Sequence, residues 1–513
     1  MTERQVVIIG AGMGGLAAAC DLARQGVRVT LLERAPQTGG KIHQRQAGRM
    51  LIDAGPTVLT MRWVFDDLLQ ACGERLEDGL TLHPLPVLAR HAWSADERLD
   101  LFADSQQSAQ AIGDFSGAAE AARFLSFCDE TRRVYHSLER AYIRAERPTL
   151  GSMGRNLGAR GLALLAGLGP FASLWRSLGR YFHDPRLRQL FGRYATYCGG
   201  SPWLAPATLM LIAYVEMRGV WAAEGGMQAI AQRLERTARR LGVQIECGAQ
   251  VDHILVTNGR ASGVRLLDGR TYDADALIFN GEAAALASGL LGEPVRSAVS
   301  PRGLQPRSLS ALTWAMQAQT SGFELSYHNV FFQPDYASEF DDVFGRSILP
   351  SRPTLYLCAQ DRIQAGPGPN GDDERLFCLI NAPARGDSNP LTPEEIERCE
   401  TAAFTHLARC GLRLSAAPEH RTCTTPQDFN QRFPGSGGAL YGMAPHGWMS
   451  SFRRPASTSA IPGLFLAGGS AHPGAGVPMA TLSGRLAAAT LMAHLDSTRR
   501  SGRVHISGGM SMA

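Results

Sequence analysis

A glycine-rich turn near the amino terminus has the residue types and spacing that suit a bound dinucleotide. Gly10, Gly12 and Gly15 form the pattern G-x-G-x-x-G, and Gly14 lies inside it. In this pattern the first glycine permits a tight turn, the second lets the backbone approach a pyrophosphate, and the third lets helix and strand pack closely. Glu33, about 20 residues further along, is placed to accept hydrogen bonds from the adenosine ribose. The chemistry indicated is nucleotide binding with the phosphates at a helix N-terminus.

The elements that must position this turn are also predicted by the sequence. The apolar run at residues 6–9 is typical of a buried strand. Residues 16–25 carry apolar side chains at helical spacing and stop at Gly26, and residues 27–33 alternate as a second strand. A strand, a helix and a second strand are the context in which the glycine pattern indicates a nucleotide site. The alternative is a glycine-rich turn without a ligand.

The residues after the second strand favour one nucleotide over another. Arg34 opens the segment RAPQTGGK, which resembles the R-x-x-x-x-G-G extension of flavoproteins of the glutathione-reductase and amine-oxidase type. Gly39 and Gly40 would bring further backbone amides to a longer dinucleotide, and Lys41 adds a cation. FAD is therefore favoured as the cofactor, and an NAD-dependent dehydrogenase is the lesser alternative.

Two later segments are predicted to return to the nucleotide domain. Strand-like residues 464–467 lead into a glycine-dense turn and then an Ala/Leu-rich helix at 482–494. A strand, such a turn and a helix N-terminus form a second site suited to an anion. Strand-like residues between 243 and 279 form the other return, and Val251 lies in the strand that commonly flanks the adenine. The cofactor residues expected in the late turn are Gly468, Gly469, Pro478 and Met479.

The predicted fold class is α/β, or α+β over the whole chain, and 513 residues suffice for two to four domains. We expect a discontinuous Rossmann-type FAD-binding domain, a mixed-sheet substrate domain and a helical, membrane-facing insertion. The expected limits are 1–80, 216–290 and 431–498 for the FAD-binding domain, 81–145 and 291–430 for the substrate domain, 146–215 for the insertion and 499–513 for a disordered tail.

Composition excludes several function classes. The chain is 44% hydrophobic and 19% charged with a net charge of +4, which excludes a disordered chain and argues against a nucleic-acid binder. Its ten cysteines form no C-x-x-C pair, so no metal site, redox dithiol or disulfide framework is expected. No signal peptide is apparent and no apolar stretch suits a membrane span, so we expect a cytoplasmic protein.

The segment 147–215 has a different charge balance from the rest of the chain. It carries eight arginines against one carboxylate, a local charge of +7, and the arginines alternate with apolar residues. A basic, apolar and helical region of this kind predicts a face that lies on an anionic membrane surface. The alternative is a solvated basic face over an ordinary core.

Longer blocks of sequence resemble those of a known family. Residues 53–58 (DAGPTV) resemble the D-x-G-P-T block of bacterial carotenoid desaturases of the phytoene-desaturase type, and residues 472–478 (HPGAGVP) resemble their H-P-G-x-G-x-P block. The segments 53–66, 90–93, 437–442 and 467–479 are similar to those of one branch, the 1-hydroxycarotenoid 3,4-desaturases. The resemblance covers nearly the whole chain up to about residue 498.

This resemblance implies an enzyme with bound FAD, near which Gly55, Pro56 and Thr57 would lie. Its substrate would be a long polyene, a 1-hydroxycarotenoid of the hydroxyneurosporene or hydroxylycopene type. The reaction would form a C3–C4 double bond by hydride transfer to the flavin, in the routes to spheroidene and spirilloxanthin. A water-insoluble substrate implies a protein held peripherally on the inner, photosynthetic membrane.

Candidate catalytic and substrate residues follow from the same resemblance. His472, His91 and Glu224 are the candidates for a general base, although charge delocalised along a polyene removes the need for a strong one. Arg90 and Trp93, together with His91, are candidates to pair with the 1-hydroxyl group, because an unpaired buried hydroxyl is costly. Three alternatives remain: a phytoene desaturase, another amine-oxidase-like flavoenzyme, and a non-catalytic lipid-binding protein on the same scaffold.

Overall fold

A computed structural model describes residues 4–169, 172–363 and 373–504 of the chain. In chain order, the strands of these residues are β1 (Gln5–Ile9), β2 (Arg28–Glu33), β3 (Gln44–Ala47), β4 (Met50–Asp53), β5 (Leu82–Pro84), β6 (Val87–Ala92), β7 (Arg98–Phe102), β8 (Trp221–Ala223), β9 (Gln244–Cys247), β10 (Val251–Thr257), β11 (Arg260–Leu266), β12 (Thr271–Asp273), β13 (Ala276–Phe279), β14 (Ser310–Ser321), β15 (His328–Phe331), β16 (Leu355–Ala359), β17 (Glu374–Ala382), β18 (Arg413–Ser415), β19 (Arg421–Thr424) and β20 (Leu464–Leu466).

The α-helices of the same residues are α1 (Met13–Ala23), α2 (Trp63–Ala71), α3 (Ser105–Ser116), α4 (Ala118–Leu138), α5 (Leu150–Leu168), α6 (Leu174–Leu178), α7 (Pro185–Gly192), α8 (Leu211–Met217), α9 (Met227–Arg240), α10 (Ala283–Ala287), α11 (Tyr336–Phe340), α12 (Pro393–Arg409), α13 (Pro426–Arg432), α14 (Ser450–Arg453) and α15 (Val477–Val504). Short π or 3-10 helices lie at Glu139–Ile143, Arg193–Cys198, Ala207–Met210, Glu293–Ala298, Pro301–Leu304, Asp341–Arg346 and Pro418–His420.

A five-stranded parallel sheet forms the nucleotide-binding part of the fold. Its strand order is β20-β13-β1-β2-β9, and each neighbouring pair is parallel. The four apolar residues of β1 are buried because helices cover the sheet. The strands come from three separate stretches of the chain, so the prediction of a discontinuous Rossmann-type fold is confirmed.

Helices α1 and α15 pack in backbone contact beside this sheet. A Cβ atom added at Gly484 of α15 would lie 1.9 Å from the carbonyl oxygen of Gly14 in α1, so the two helices meet where neither has a side chain. The contact brings together the first and last helices of the described residues. It also fixes the start of both helices against the carboxyl end of the sheet.

A second, mixed sheet has the strand order β18-β14-β17-β16-β15-β6-β7, and β19 also pairs with β14. The β15–β6 pair is parallel and the others are antiparallel, which confirms the predicted mixed sheet. Helix α12 packs against this sheet, and Thr392 caps it by accepting a hydrogen bond from the Glu395 N–H at 3.2 Å. The sequence Thr-Pro-Glu-Glu at residues 392–395 is typical of such a capped helix start.

The segment 146–215 is helical, as predicted, and contains α5, α6, α7 and most of α8. Some of its apolar side chains lie in the hydrophobic core and not at the surface. Phe182 and Phe191 stack with ring centres 4.7 Å apart, and Phe127 of α4 packs against both. Leu174 and Leu187 are also fully buried. These side chains therefore do not belong to the membrane-facing surface that the sequence pattern suggested.

Two expectations about the chain's surface and end are modified by the structure. Among the described residues, no helix combines the length and the apolar character that a membrane crossing requires. Helix α15 continues to Val504, so the predicted disordered tail begins inside a helix. Residues 505–513 of that predicted tail lie outside the described residues.

Candidate functional site

A cavity of about 700 Å³ lies between the parallel sheet and the mixed sheet. Its walls include the turn after β1, the end of β2 and the start of α15. They also include side chains from β14, β16, β17 and α8. Open α/β sheets bind ligands at the carboxyl ends of their parallel strands. The cavity begins at that edge of the five-stranded sheet.

Close backbone contacts between glycines form one wall of the cavity. Gly10, Gly12, Gly14, Gly39 and Gly40 all line it. A β-bridge joins Gly12 to Gly39, and a Cβ atom at Gly40 would lie 3.0 Å from the Gly12 Cα. Gly12 precedes α1 without a side-chain cap, so the first amides of this helix are available to an anion.

Gly15 has a different role from the other glycines of the motif. It does not line the cavity, and a Cβ atom there would lie 2.0 Å from the carbonyl oxygen of Gly10. Gly15 therefore permits the close packing of helix on strand, the role that the pattern assigned to it. Asn280, directly after β13, donates from Nδ2 to the same carbonyl of Gly10 at 2.9 Å.

Glu33 holds the glycine turn and lines the cavity at the end of β2. Its carboxylate accepts hydrogen bonds from the backbone N–H groups of Ala11 at 2.7 Å and Ala35 at 2.8 Å. Burial raises the pKa of Glu33, and the two N–H donors lower it. Arg34 and Val251 line the cavity beside it. The carboxylate retains acceptor capacity for the hydroxyl groups of a ribose.

Residues from distant parts of the chain complete the same cavity. Predicted cofactor residues from the segment 53–58 and from the late turn also line the cavity: Gly55, Pro56, Thr57, Gly468, Gly469, Pro478 and Met479. Lys41 also lines the cavity, but its ammonium already donates to the Glu282 carboxylate at 2.6 Å and to the Leu440 carbonyl at 2.7 Å. Its charge is thus balanced within the wall.

The wall contains the groups that an FAD molecule requires. The glycine turn places backbone atoms rather than side chains at the cavity, α1 and α15 begin at the cavity, and Glu33 lines it at the end of β2. The Nδ1 atom of His43 faces the Lys41 carbonyl at 3.0 Å, and its Nε2 atom is buried without a hydrogen-bond partner within the described ranges. A polar ligand in the cavity would pair with that nitrogen.

His472 is not at the surface of the cavity. Its Nε2–H donates to the carbonyls of Ala145 at 2.8 Å and Tyr142 at 3.1 Å. Burial lowers its pKa to about 4, so the ring is neutral at pH 7. The neighbouring residues Pro473 and Gly474 do line the cavity. His472 therefore orients the late turn, and its geometry does not suit a general base.

The other predicted catalytic and substrate residues are also away from the cavity. His91 packs against the rings of Phe332 and Trp93 and donates from Nδ1 to the Leu99 carbonyl at 3.1 Å. The Trp93 Nε1–H donates to Gln189 at 2.8 Å. These side chains stabilise the core beside β6, and His91 Nδ1 and Trp93 Nε1 already have partners within the protein.

Arg90 and Glu224 lie near the surface. The Arg90 guanidinium forms an ion pair with Asp100, with two N–O distances of 2.8 Å. The Glu224 side chain is 68% exposed in the turn after β8 and lies 3.9 Å from His83. The structure thus brings the predicted cofactor residues together but does not bring the predicted catalytic and substrate residues to them.

Several residues that line the cavity were missed by sequence reasoning. Arg454 is one: it donates to the carbonyls of Gly469 at 2.6 Å, Tyr441 at 3.0 Å and Met443 at 3.0 Å, and so holds the late turn. No local pattern marks it. Asn280 had a signal, because it is a polar residue directly after a predicted buried strand. Arg193, Tyr197, Glu216 and Tyr356 line the cavity as well.

Comparison with known proteins agrees with this geometry. The model of the family described as flavin containing amine oxidoreductase matches residues 13–492. The chain belongs to this family. FAD is therefore its cofactor, as the glycine motifs predicted.

The chain is also similar to individual curated proteins of this family over their full length. It is 57% identical over 512 residues to the hydroxyneurosporene desaturase of Rubrivivax gelatinosus, and the matched region covers 100% of this chain and 97% of that protein. It is 46% identical over 496 residues to the hydroxyneurosporene desaturase of Cereibacter sphaeroides, and the matched region covers 97% of this chain and 99% of that protein. The 4,4'-diapolycopene oxygenase of a Methylomonas species is 29% identical over 497 residues, covering 96% and 99%. The resemblance to the carotenoid desaturases is confirmed.

Solved structures show the same fold. A putrescine oxidase bound to putrescine has a TM-score of 0.58 and 17% identity, covering 96% of this chain and 99% of that one. An oxidoreductase from Methanosarcina mazei has a TM-score of 0.57 and 17% identity, covering 95% and 100%. At this identity the likeness concerns the architecture, and it confirms the predicted fold class.

The role of Glu33 can be tested by cofactor affinity. Glu33→Ala leaves the Ala11 and Ala35 N–H groups without their acceptor and removes the acceptor for the ribose. We expect the dissociation constant for FAD to rise about 10- to 100-fold, measured by titrating the apoprotein with FAD. Glu293→Ala removes an exposed carboxylate that pairs with Arg296 at 3.2 Å and should leave FAD affinity unchanged. Equal affinities in the two variants would contradict the assignment.

Buried histidines make the stability of the protein sensitive to acid. Burial lowers the pKa of His43 and His328 to about 3 and that of His91, His446 and His472 to about 4. In the unfolded chain the histidine pKa is about 6.5. The unfolded state therefore binds more protons between these values, so stability is complete above about pH 6.5 and falls as the pH approaches 4.

Thermal unfolding measured from pH 7 to pH 4 should show this loss as a falling midpoint temperature. His91→Phe removes one of these groups, so its midpoint should fall less steeply with acid. His83→Phe changes a half-exposed histidine on β5 and should follow the wild-type curve. Parallel curves for all three proteins would show that His91 does not take part in the acid response.

Proposed function

We propose that the chain is an FAD-dependent desaturase that introduces the C3–C4 double bond into acyclic 1-hydroxycarotenoids. One observation carries the proposal: a single cavity joins the flavin site to a chamber with mostly apolar walls. The relatives named hydroxyneurosporene desaturase, at 57% and 46% identity over nearly the whole chain, support the same substrate class.

The chamber suits a polyene because apolar side chains form most of its surface. These residues are Leu138, Ile143, Leu209, Leu211, Ile212, Val215, Phe377 and Leu379. A hydrocarbon chain gains free energy when it leaves water for such a surface. The same walls exclude water from the carbon atoms that lose hydrogen.

The chain's own contribution to the reaction is mainly positional. Bound FAD supplies a two-electron acceptor for the hydrogen that leaves an allylic carbon as hydride. The protein must hold the polyene so that one carbon–carbon bond, and no other, lies at the reacting position. The neighbouring carbon loses a proton to a weak base, for which a polar side chain or a water molecule at the polar end of the cavity suffices, and the electrons of that C–H bond complete the double bond. Positive charge that develops beside a conjugated chain is delocalised along it, so a strong general base is not required.

Desaturation can be tested with the purified holoprotein and liposomes that contain 1-hydroxyneurosporene. We expect a product that absorbs at longer wavelength and is two hydrogens lighter by mass spectrometry, because one further double bond is conjugated. The apoprotein is the control and should form no product. Absence of product with flavin bound and lipid present would contradict the proposal. A product that has gained oxygen would instead group the chain with the oxygenases that resemble it.

We also propose that part of the segment 147–215 rests on an anionic membrane surface on the cytoplasmic side. A carotenoid dissolves in the bilayer, so the enzyme must collect it there. Arg147, Arg155 and Arg176 are exposed, and the exposed side chain of Leu204 lies in the same segment. Arg186 does not support this proposal, because it pairs with Asp184 at 2.6 Å and Glu97 at 2.7 Å.

The membrane proposal predicts a specific loss of liposome binding. A triple variant with Arg147, Arg155 and Arg176 changed to glutamine should bind anionic vesicles more weakly, by roughly 1 kcal/mol per removed charge. A matched triple variant with Arg28, Arg302 and Arg413 changed to glutamine has the same net charge, and these residues are also exposed. Co-sedimentation with vesicles separates the two cases. Equal binding by both variants would contradict a surface located at 147–215.

A further inference from the structure

Three polar side chains interrupt the apolar chamber and have no role in the cofactor site. Arg193 and Tyr197 belong to the short helix 193–198, and Glu216 belongs to α8. All three line the cavity. Because burying polar groups beside a hydrocarbon is costly unless they are paired, their presence here calls for a ligand with matching polar atoms.

Arg193 is held by aromatic rings rather than by an acid. Its guanidinium carbon lies 5.7 Å from the ring centre of Tyr197 and 5.3 Å from that of Tyr356. Within the ranges the structure describes, no carboxylate forms an ion pair with it. Cation–π contacts fix the guanidinium plane but leave its N–H donors available. One hydrogen bond from Arg193 to the Tyr197 hydroxyl lowers the pKa of that tyrosine, and the other N–H donors can pair with a group that enters the cavity.

Glu216 supplies the opposite kind of group. It is 6% exposed, and its carboxylate accepts a hydrogen bond from the Tyr194 hydroxyl at 2.6 Å. Burial raises the pKa of Glu216, whereas hydrogen bonds from Tyr194 and Tyr197 and the charge of Arg193 lower it. Tyr197 lies near both charges: burial and Glu216 raise its pKa and Arg193 lowers it. A donor group and an acceptor group thus face the same space.

This pairing selects one class of ligand. An anion would be repelled by Glu216 and a cation by Arg193, whereas a hydrocarbon would offer no partner to the Arg193 N–H groups and would leave Glu216 with its tyrosine donors alone. A neutral hydroxyl group accepts from an arginine N–H and donates to a carboxylate or a tyrosine oxygen, so it satisfies both. We infer that Arg193, Tyr197 and Glu216 form a hydroxyl subsite that binds the tertiary hydroxyl group at the end of the polyene. This inference rests on the proposed function.

The hydroxyl subsite lies beside the flavin part of the cavity. The hydroxyl of Tyr356, whose ring contacts Arg193, is 2.6 Å from the Thr57 hydroxyl and 2.7 Å from Nδ1 of His328. Thr57 adjoins Gly55 and Pro56 in the cofactor wall. In the proposed substrate the hydroxyl-bearing carbon is three bonds from C4, so its partner must be close to the flavin. The subsite meets that requirement and therefore sets the register of the polyene.

The same arrangement predicts an order of preference among polyene ends. A hydroxyl end pairs with both the arginine and the carboxylate. A methoxy end can accept from Arg193 but has no hydrogen to donate to Glu216. An unsubstituted end pairs with neither, because it has no polar atom. It leaves the buried partners without a hydrogen bond, and this lowers its affinity most strongly. Affinity should thus fall from hydroxy to methoxy to unsubstituted polyenes.

Equilibrium binding to the holoprotein with its flavin reduced, under anaerobic conditions in detergent micelles, tests the inference without turnover, because reduced flavin cannot accept a hydride. We expect 1-hydroxyneurosporene to bind about 10- to 100-fold more tightly than neurosporene. Arg193→Met and the milder Tyr197→Phe should remove most of this preference while leaving the affinity for neurosporene unchanged. Arg98→Met is the matched control, since Arg98 also covers an aromatic ring, that of Phe323 at 4.4 Å, and does not line the cavity. Flavin content and thermal midpoint are measured for each protein.

The outcomes separate this inference from the proposed function. Loss of the preference in the two cavity variants, and its retention in Arg98→Met, supports the hydroxyl subsite. An equal loss of affinity for both polyenes would mean that the residues only shape the cavity, and would overturn the inference. A wild-type protein that binds both polyenes equally would also overturn it but would leave the desaturase proposal intact. A wild-type protein that binds neither polyene would overturn both.

Discussion

Direct backbone contact at glycine positions is the constraint on which the rest of the structure depends. A Cβ atom at Gly15 would collide with the carbonyl of Gly10, and one at Gly484 would collide with that of Gly14. Strand β1 and helices α1 and α15 can pack this closely only because those side chains are absent. The contact holds the N-termini of two helices at the carboxyl end of the parallel sheet, where their free amides suit a phosphate. It also explains how residues from both ends of the chain form one cofactor wall.

The cavity combines two kinds of surface, and each suits a different part of the chemistry. Backbone amides, Glu33 and the late turn provide a polar surface for the dinucleotide. Leucine, isoleucine and phenylalanine side chains provide a dry surface for a hydrocarbon. Because a polyene offers few groups for hydrogen bonding, the few polar side chains in the dry part determine which of its bonds is presented to the flavin. The arrangement makes position, rather than acid–base chemistry, the main contribution of the protein.

The basic segment illustrates how one charge pattern can serve several purposes. The excess of arginine between 147 and 215 suggested a single surface, but the structure distributes these residues among different environments. Arg186 pairs with carboxylates, Arg188 lies over the ring of Trp175 at 4.3 Å, and Arg193 points into the cavity. Only the remaining exposed arginines are available to a membrane. The net charge of a segment therefore does not give the charge of a protein surface, because some of its charged side chains are buried or form ion pairs.

The sequence alone predicts the elements whose cause is local. The β1–α1–β2 unit, the late strand and turn, and the capped start of α12 depend on residues within a few positions of one another, so their patterns are readable. It also determined the cofactor through the glycine motifs. Which side chains line the cavity depends on tertiary packing. His472 and Trp93 pair with partners 330 and 96 residues away, and Asn280 pairs across 270 residues. Such contacts arise when sheets and helices pack, and no local spacing records them. For this reason the predicted catalytic and hydroxyl-binding residues lie in the core or at the surface, whereas Arg193 and Glu216 line the cavity.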